Sequence, residues 1–124
     1  MIWRYVIAIA LLLGAPEAAL AHAALVKATP GSRAVLSHMP EKIELCFNEM
    51  VELKFSAVGL KDEKDEPVQL GEVAIGGTPK CIVSTVSPAG AGTYKIEYRV
   101  LSLDGHIIES SYRFTVKPEP AAPK

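Results

Sequence analysis

The chain has 124 residues, of which 49% are hydrophobic, and its 13 basic and 14 acidic side chains give a net charge of −1. It has no basic block, so it lacks the charge with which a nucleic-acid-binding domain holds phosphates. Its length allows one domain with a hydrophobic core. A core of this size leaves only a small margin of stability.

The first 21 residues have the pattern of a secretory signal peptide. Arg4 precedes an apolar run at residues 5–14, which is shorter than the about 20 residues that a membrane-spanning helix needs. The tripeptide A-L-A at 19–21 is the small-x-small pattern of a cleavage site. We therefore expect residues 1–21 to be removed, so that the exported chain begins at His22. An uncleaved anchor or a buried helix is the alternative.

From His22 onward, short apolar runs alternate with turn residues, which is typical of an all-β domain. In the stretch K-I-E-L-C-F at 42–47, every second side chain is apolar, so one face of a strand is predicted to be buried. Further predicted strands cover residues 55–60, 67–70, 81–86, 94–100 and 111–116.

Turn signals separate these strands. The charged stretch K-D-E-K-D-E-P at 61–67 predicts a solvated hairpin loop, and the Pro- and Ala-rich residues 118–124 predict a flexible tail. About seven short strands, with turn signals about every eight to twelve residues, favour an antiparallel β-sandwich or barrel of immunoglobulin-like, Greek-key type.

The chain has two cysteines, Cys46 and Cys81. In an exported protein such a pair favours a disulfide over a metal site, because the compartment is oxidising. Closing a loop of about 35 residues would add about 3–4 kcal/mol in the chain-entropy model. The alternative is two reduced thiols on separate strands.

Two of the three histidines differ in their surroundings. His38 lies in the turn-like stretch L-S-H-M-P and is predicted to be a surface residue. His106 lies two positions after Asp104 in S-L-D-G-H, and in an extended segment this spacing points both side chains the same way. Asp-Gly is also a common turn dipeptide, so a plain loop is the alternative.

The third histidine, His22, would carry a free amine beside its imidazole if the exported chain begins there. These two nitrogens can chelate one metal ion, and His106 and Asp104 would add a third nitrogen and an oxygen. A tetragonal set of such donors suits Cu(II), whereas zinc prefers a tetrahedron. The residues therefore predict a Cu(II) site at His22, Asp104 and His106.

Three stretches together match the motifs of one protein family. The chain from His22 reads H-A-A-L, with T-P-G at 29–31, and residues 43–49 read I-E-L-C-F-N-E. Residues 92–106 read G-T-Y-K-I-E-Y-R-V-L-S-L-D-G-H, with F-T-V at 114–116. These stretches resemble the HAxL opening, the LxFSE strand and the GxYxVxWRVxSxDGH close of CopC-type periplasmic copper-binding proteins. The closing motif is long and specific.

The resemblance implies an immunoglobulin-like domain over residues 22–117 that binds Cu(II) in the periplasm. The ligands in this family are the N-terminal histidine and the Asp and His of the DGH motif. They carry over to His22, Asp104 and His106. Glu49 matches a glutamate that lies near the metal in some members, and we expect it near the metal without binding it.

The chain departs from the family pattern at several positions. Asn48 replaces a serine, Tyr98 replaces a tryptophan, and Ala24 stands where some members have a second histidine. The Met-rich Cu(I) loop of the family has no counterpart, since only Met39 and Met50 lie beyond the predicted signal peptide. The first three changes leave the predicted Cu(II) ligands in place.

The resemblance further implies a non-catalytic Cu(II) carrier or buffer for copper tolerance or delivery. Its expected partners are copper and a CopD-type inner-membrane protein, and we expect a monomer that binds no nucleic acid. Two alternatives stay open. An N-terminal histidine with a second imidazole also resembles the copper brace of oxidative polysaccharide monooxygenases, although those enzymes use an extended, aromatic-studded substrate face. A metal-free immunoglobulin-like interaction module is the other alternative.

Overall fold

The computed structural model describes residues 24–119, so the predicted signal peptide, His22 and residues 120–124 lie outside the described part. Within residues 24–119, no helix is long and apolar enough to cross a bilayer. The same range contains one short 3₁₀ helix, Leu53–Phe55, and the strands β1 Leu25–Thr29, β2 Val35–Leu36, β3 Lys42–Phe47, β4 Ala57–Lys61, β5 Ala74–Ile75, β6 Cys81–Thr85, β7 Gly92–Leu101 and β8 Ile107–Val116.

These strands form two four-stranded sheets, one in the order β1-β3-β6-β5 and the other in the order β2-β8-β7-β4. The connections β3 to β4 and β6 to β7 pass from the first sheet to the second. The predicted all-β sandwich is therefore confirmed. The second sheet is mixed rather than wholly antiparallel, because the two-residue β2 runs parallel to the end of β8.

The core lies between the two sheets, where sequence alternation places it. On β3, Ile43, Leu45 and Phe47 are at most 1% exposed, while the residues between them face outward. Phe47 meets Tyr98 of β7 edge to face, with ring centroids 5.8 Å apart. Burial of apolar surface at about 25 cal/mol per Å² is the main force that holds the sheets together. The buried side chains of β7 follow the same alternation: Tyr94, Ile96, Tyr98 and Val100.

The predicted hairpin loop at 61–67 is confirmed. The carboxylate of Asp62 accepts the backbone N–H groups of Lys64 at 2.8 Å and Glu66 at 3.0 Å. Asp65 adopts a positive φ of 63°, which aspartate tolerates better than most residues. The carboxylate of Asp62 thus supports a charged turn that backbone hydrogen bonds between Asp62 and Glu66 and between Asp65 and Asp62 also close.

The predicted strand at 67–70 is wrong. Pro67 pairs only with Lys61 of β4, whereas Leu70 pairs only with Val86, which follows β6. The segment therefore passes from one sheet to the other and cannot continue a ladder with either. Proline also lacks the N–H that a ladder needs.

The starts of β4 and β8 differ from the prediction. Phe55 belongs to the 3₁₀ helix and not to β4, because the N–H of Ser56 donates back to Leu53 and its hydroxyl donates to Glu52. The last strand begins at Ile107 rather than Ser111, because Ile107 pairs with Leu101 and the ladder continues from there. Glu109, Ser110 and Ser111 interrupt the apolar alternation of β8 and hide this extension from hydrophobic patterning.

Cys46 and Cys81 form a disulfide, as the export signal and the even cysteine count predicted. The two residues stand directly opposite each other on β3 and β6, with Cα atoms 4.0 Å apart. Near this bridge, the N–H of Phe47 donates to Lys80 at 2.8 Å and that of Val51 donates to Pro79 at 3.1 Å. The residues before β6 thus support the segment that follows β3.

Candidate metal centre

The turn between β7 and β8 carries the DGH motif. It is closed by the N–H of Ser102, which donates to the carbonyl of His106 at 2.9 Å, and by the N–H of Gly105, which donates to the carbonyl of Ser102 at 2.9 Å. Gly105 has a φ of +90°, a conformation that side-chain-bearing residues rarely adopt. The glycine therefore allows the chain to reverse between Asp104 and His106.

Ser102 organises the inside of this turn. The residue is 1% exposed, and its hydroxyl donates to the Oδ1 atom of Asp104. The same hydroxyl accepts the backbone N–H of His106 at 3.2 Å. One buried side chain therefore fixes the positions of both Asp104 and His106.

Asp104 and His106 form a carboxylate–imidazole pair. The Nδ1 atom of His106 lies 3.1 Å from Oδ2 of Asp104, and the side chains are 53% and 39% exposed, respectively. The hydrogen bond from Ser102, and then that from His106, lower the pKa of Asp104 below its ordinary value. Asp104 is therefore ionised at neutral pH.

This pairing has a consequence for the imidazole of His106. A neutral ring that donates from Nδ1 carries its lone pair on Nε2. Imidazoles that bind metals commonly have their other nitrogen oriented by a carboxylate in this way. The pair thus presents an imidazole oriented by a carboxylate, and the carboxylate lies across the ring from Nε2 while this hydrogen bond is kept.

The first described residue of the chain lies at the same end of the sandwich as this turn. The N–H of Ala24 donates to Oδ1 of Asn48 at 2.6 Å, and the carbonyl of Ala24 accepts the N–H of Asn48 at 3.0 Å. Two residues further on, the carbonyl of Met50 accepts the N–H of Leu103 at 3.0 Å. The segment 48–51 therefore contacts both the N-terminal segment and the turn.

The structure brings together two of the three predicted ligands. Asp104 and His106 meet because the chain turns tightly, rather than because it is extended as the spacing argument assumed. His22 lies outside the described residues. His38 is exposed in the loop before β3, as predicted, and Glu49 is half-buried after β3.

Within residues 24–119, no three His, Cys, Asp or Glu side chains come together in a group that could hold a metal ion. Within that range, Asp104 and His106 form a pair and belong to no larger group of this kind. Sequence reasoning gave no role to Ser102 or to the contact of Asn48 with Ala24. For Ser102, the sequence signal was its position two residues before Asp104 in S-L-D-G-H.

Taken together, the fold and these contacts define a class of protein: a small β-sandwich that presents a paired carboxylate and imidazole on the turn at one end. The family model for the CopC domain matches residues 25–117. The chain therefore belongs to the CopC family of copper resistance proteins.

Individual relatives match over most of their length. Copper resistance protein C of Escherichia coli is 35% identical over 116 residues, which span 86% of this chain and 90% of that protein. Copper resistance protein C of Pseudomonas syringae pv. tomato is 39% identical over 106 residues, or 78% of this chain and 82% of that one. The crystal structure of CopC from Methylosinus trichosporium OB3b matches with a TM-score of 0.76 at 29% identity, covering 82% of this chain and 100% of that one.

Proposed function

We propose that this protein binds one Cu(II) ion through His22, Asp104 and His106 and serves as a non-catalytic copper carrier or buffer. His22 would contribute its α-amine and its imidazole, His106 a second imidazole and Asp104 a carboxylate oxygen. Residues 1–21 would be removed as a signal peptide, leaving a copper-binding domain at 22–117 with a flexible tail.

The observation that carries this proposal is the Asp104–His106 pair on a turn connected to the N-terminal segment. Ala24, two residues after His22, is hydrogen-bonded to Asn48, and the carbonyl of Met50 is hydrogen-bonded to the same turn. Two residues of chain span at most about 7 Å. The position of Ala24 therefore supports a site that His22 shares with Asp104 and His106.

The donor chemistry supports copper as the ion. Three nitrogens and one carboxylate oxygen suit the tetragonal geometry of Cu(II), which also binds such donors more tightly than other divalent first-row ions. The ionised state of Asp104 adds a negative charge beside the nitrogens. The relatives named above are described as copper resistance proteins, which supports copper for this chain too.

A carrier role fits the position of the pair. His106 and Asp104 are 53% and 39% exposed on an end turn, where another protein can reach a bound ion. We propose that the protein works as a monomer in the periplasm and exchanges copper with a CopD-type protein of the inner membrane.

The test is Cu(II) titration of the exported protein after its first residue has been established by N-terminal sequencing. We expect His22 at the terminus and one tightly bound Cu(II). Binding should weaken as the pH falls below about 8, because protons compete for an amine whose ordinary pKa is about 7.7–8.0.

A variant with one extra residue before His22 serves as the comparison, since its α-amine is displaced from the histidine. This form should bind Cu(II) more weakly and lose that part of the pH dependence. Equal affinity in the two forms would exclude the amine as a ligand.

A further inference from the structure

Asn48 makes two hydrogen bonds to one residue of the N-terminal segment. Its carboxamide Oδ1 accepts the N–H of Ala24 at 2.6 Å, and its own N–H donates to the carbonyl of Ala24 at 3.0 Å. These bonds extend the pairing of β1 with β3 one residue beyond the Leu25–Phe47 pair. Both backbone polar groups of Ala24 are thus held by Asn48.

The ladder between β1 and β3 is interrupted just after the first residue of β1. The register between β1 and β3 shifts between Leu25 and Lys27, and such an irregularity interrupts the regular hydrogen bonding of a strand pair. Ala24 itself is exposed, so packing does little to fix it. The contacts with Asn48 therefore fix the position of Ala24.

Asn48 also belongs to the segment that supports the DGH turn. Met50, two residues later, accepts the N–H of Leu103, and Val51 pairs with Ser102. The segment 48–51 is thus in contact both with Ala24, two residues after His22, and with the turn that carries Asp104 and His106. A residue in this segment can set the position of one part relative to the other.

We infer that Asn48 is a positioning residue for copper binding: its contacts with Ala24, two residues after His22, hold the start of β1 against the segment that also supports the DGH turn. This inference rests on the proposed function, because it concerns the same site. Groups that orient metal ligands without touching the metal commonly change affinity by about 10- to 100-fold when they are removed. Asn48 also replaces the serine of the family motif. A serine has no carboxamide, so this contact distinguishes the chain from that motif.

The experiment is a double-mutant cycle on the copper-binding protein. Asn48→Ala is made both in the form that begins at His22 and in the form with one extra residue before it, and Cu(II) affinity is measured by chelator competition. In the form that begins at His22, we expect a loss of about 10- to 100-fold. In the extended form the loss should be much smaller, because the amine that Asn48 positions no longer binds.

Asn48→Asp is the conservative variant, since it keeps an acceptor oxygen for the N–H of Ala24. Hydrogen exchange of that N–H in the copper-free protein reports the contact directly. It should be fast in Asn48→Ala and protected in Asn48→Asp. The electron paramagnetic resonance spectrum of the Cu(II) form should change in Asn48→Ala. In Asn48→Asp it should stay close to the spectrum of the unmodified protein. Thr93→Ala, at the start of β7, is the control that shows whether a general loss of stability by itself changes copper affinity.

The outcomes separate this inference from the proposed function. If Asn48→Ala has the same fold loss in both forms, its role is a general structural one and the inference is wrong. If Asn48→Ala keeps full affinity while His106→Ala loses it, the inference is wrong and the proposed site stands. If His106→Ala also keeps full affinity, the proposed site fails and the inference fails with it.

Discussion

The Nδ1 atom of His106 lies 3.1 Å from the Oδ2 atom of Asp104, so the carboxylate determines which ring nitrogen is available to a metal. With Nδ1–H donating to the carboxylate, the lone pair of a neutral ring is on Nε2. A copper ion held at Nε2 can keep this hydrogen bond. Binding of the same ion by Asp104 would require the pair to separate, because a carboxylate held at Nδ1 lies across the ring from Nε2.

We predict that His106→Ala removes one nitrogen from the Cu(II) centre. The loss of affinity should exceed the about 10- to 100-fold effect of losing an outer partner, because a ligand itself is lost. The electron paramagnetic resonance spectrum of the copper form should show fewer coupled nitrogens. An unchanged spectrum would contradict the assignment of all three ligands.

His38→Ala is the matched control for His106→Ala. It removes the same side chain from an exposed position in the loop before β3, which has no part in the proposed site. Affinity and spectrum should both stay as in the unmodified protein. Any loss comparable to that of His106→Ala would show that copper binds at surface histidines without preference.

We predict that Ser102→Ala raises the pKa of Asp104 toward its ordinary value. The hydrogen bond from Ser102 is the largest cause of the lowered pKa, and alanine cannot donate it. Because the pKa of Asp104 is lowered by folding, its contribution to stability is present above its unfolded-state pKa and is lost as the pH falls through the folded-state value. In Ser102→Ala this loss should be smaller and complete at a higher pH, because the folded-state pKa lies closer to the unfolded-state value. NMR titration of the carboxyl carbon and unfolding at several pH values can measure it.

Copper affinity should fall in the same variant by about 10- to 100-fold, because Ser102 holds both Asp104 and His106 in place. Ser110→Ala, which changes an exposed serine on β8, is the control. If Ser102→Ala and Ser110→Ala gave the same Asp104 titration, the hydrogen bond within the turn would have no electrostatic effect.

We predict that the double variant Cys46→Ala/Cys81→Ala folds with a free energy of unfolding lower by about 4 kcal/mol, the chain-entropy value for a loop of this length. The two cysteines are 35 positions apart in the chain. Copper affinity should change little, since neither cysteine is a proposed ligand and the bonds of Phe47 and Val51 to residues 79–80 remain. Chemical denaturation and copper titration measure the two effects separately.

The unmodified protein should give no reaction in a free-thiol assay when freshly exported. Its mass without reduction should be lower than that of the reduced form by two hydrogen atoms. Two reactive thiols in the exported protein would contradict the disulfide.

The sequence was sufficient to predict β3 and the buried face of β7 because each strand buries one face, and a period of two shows which one. The same reasoning failed at residues 67–70, because the apolar side chains there lie on a segment that crosses between sheets. No local pattern separates these two cases. The crossing segment is recognised only from its pairing, since Pro67 pairs with one sheet and Leu70 with the other.

The candidate site shows the same limit. The spacing of Asp104 and His106 indicated that they would meet, yet they meet through a turn that depends on the positive φ of Gly105. The role of Ser102 depends on its burial, and that of Asn48 depends on β1 being paired with β3. Burial, backbone conformation and strand pairing are products of the fold and leave little trace in a single chain's residue pattern.

The last prediction is that this protein holds Cu(II) and has no dedicated Cu(I) site. Cu(I) prefers thioether or thiolate sulfur, and the disulfide occupies the sulfur atoms of both cysteines. Met39 packs against the core before β3, whereas Met50 is 44% exposed after it. The six residues of β3 separate the two methionines by about 20 Å, so one Cu(I) ion cannot bind both. Reduction of the bound ion should therefore release it.

The measurement is a competition for Cu(I) against a chromophoric chelator under anaerobic conditions with ascorbate present. We expect the chelator to take the ion from the protein, whereas Cu(II) stays bound in the matched experiment without reductant. Redox state would then control copper delivery, because the nitrogen and carboxylate donors proposed at His22, Asp104 and His106 suit the oxidised ion. Tight one-to-one retention of Cu(I) that is lost in Met39→Leu/Met50→Leu would instead show that the methionines form a Cu(I) site.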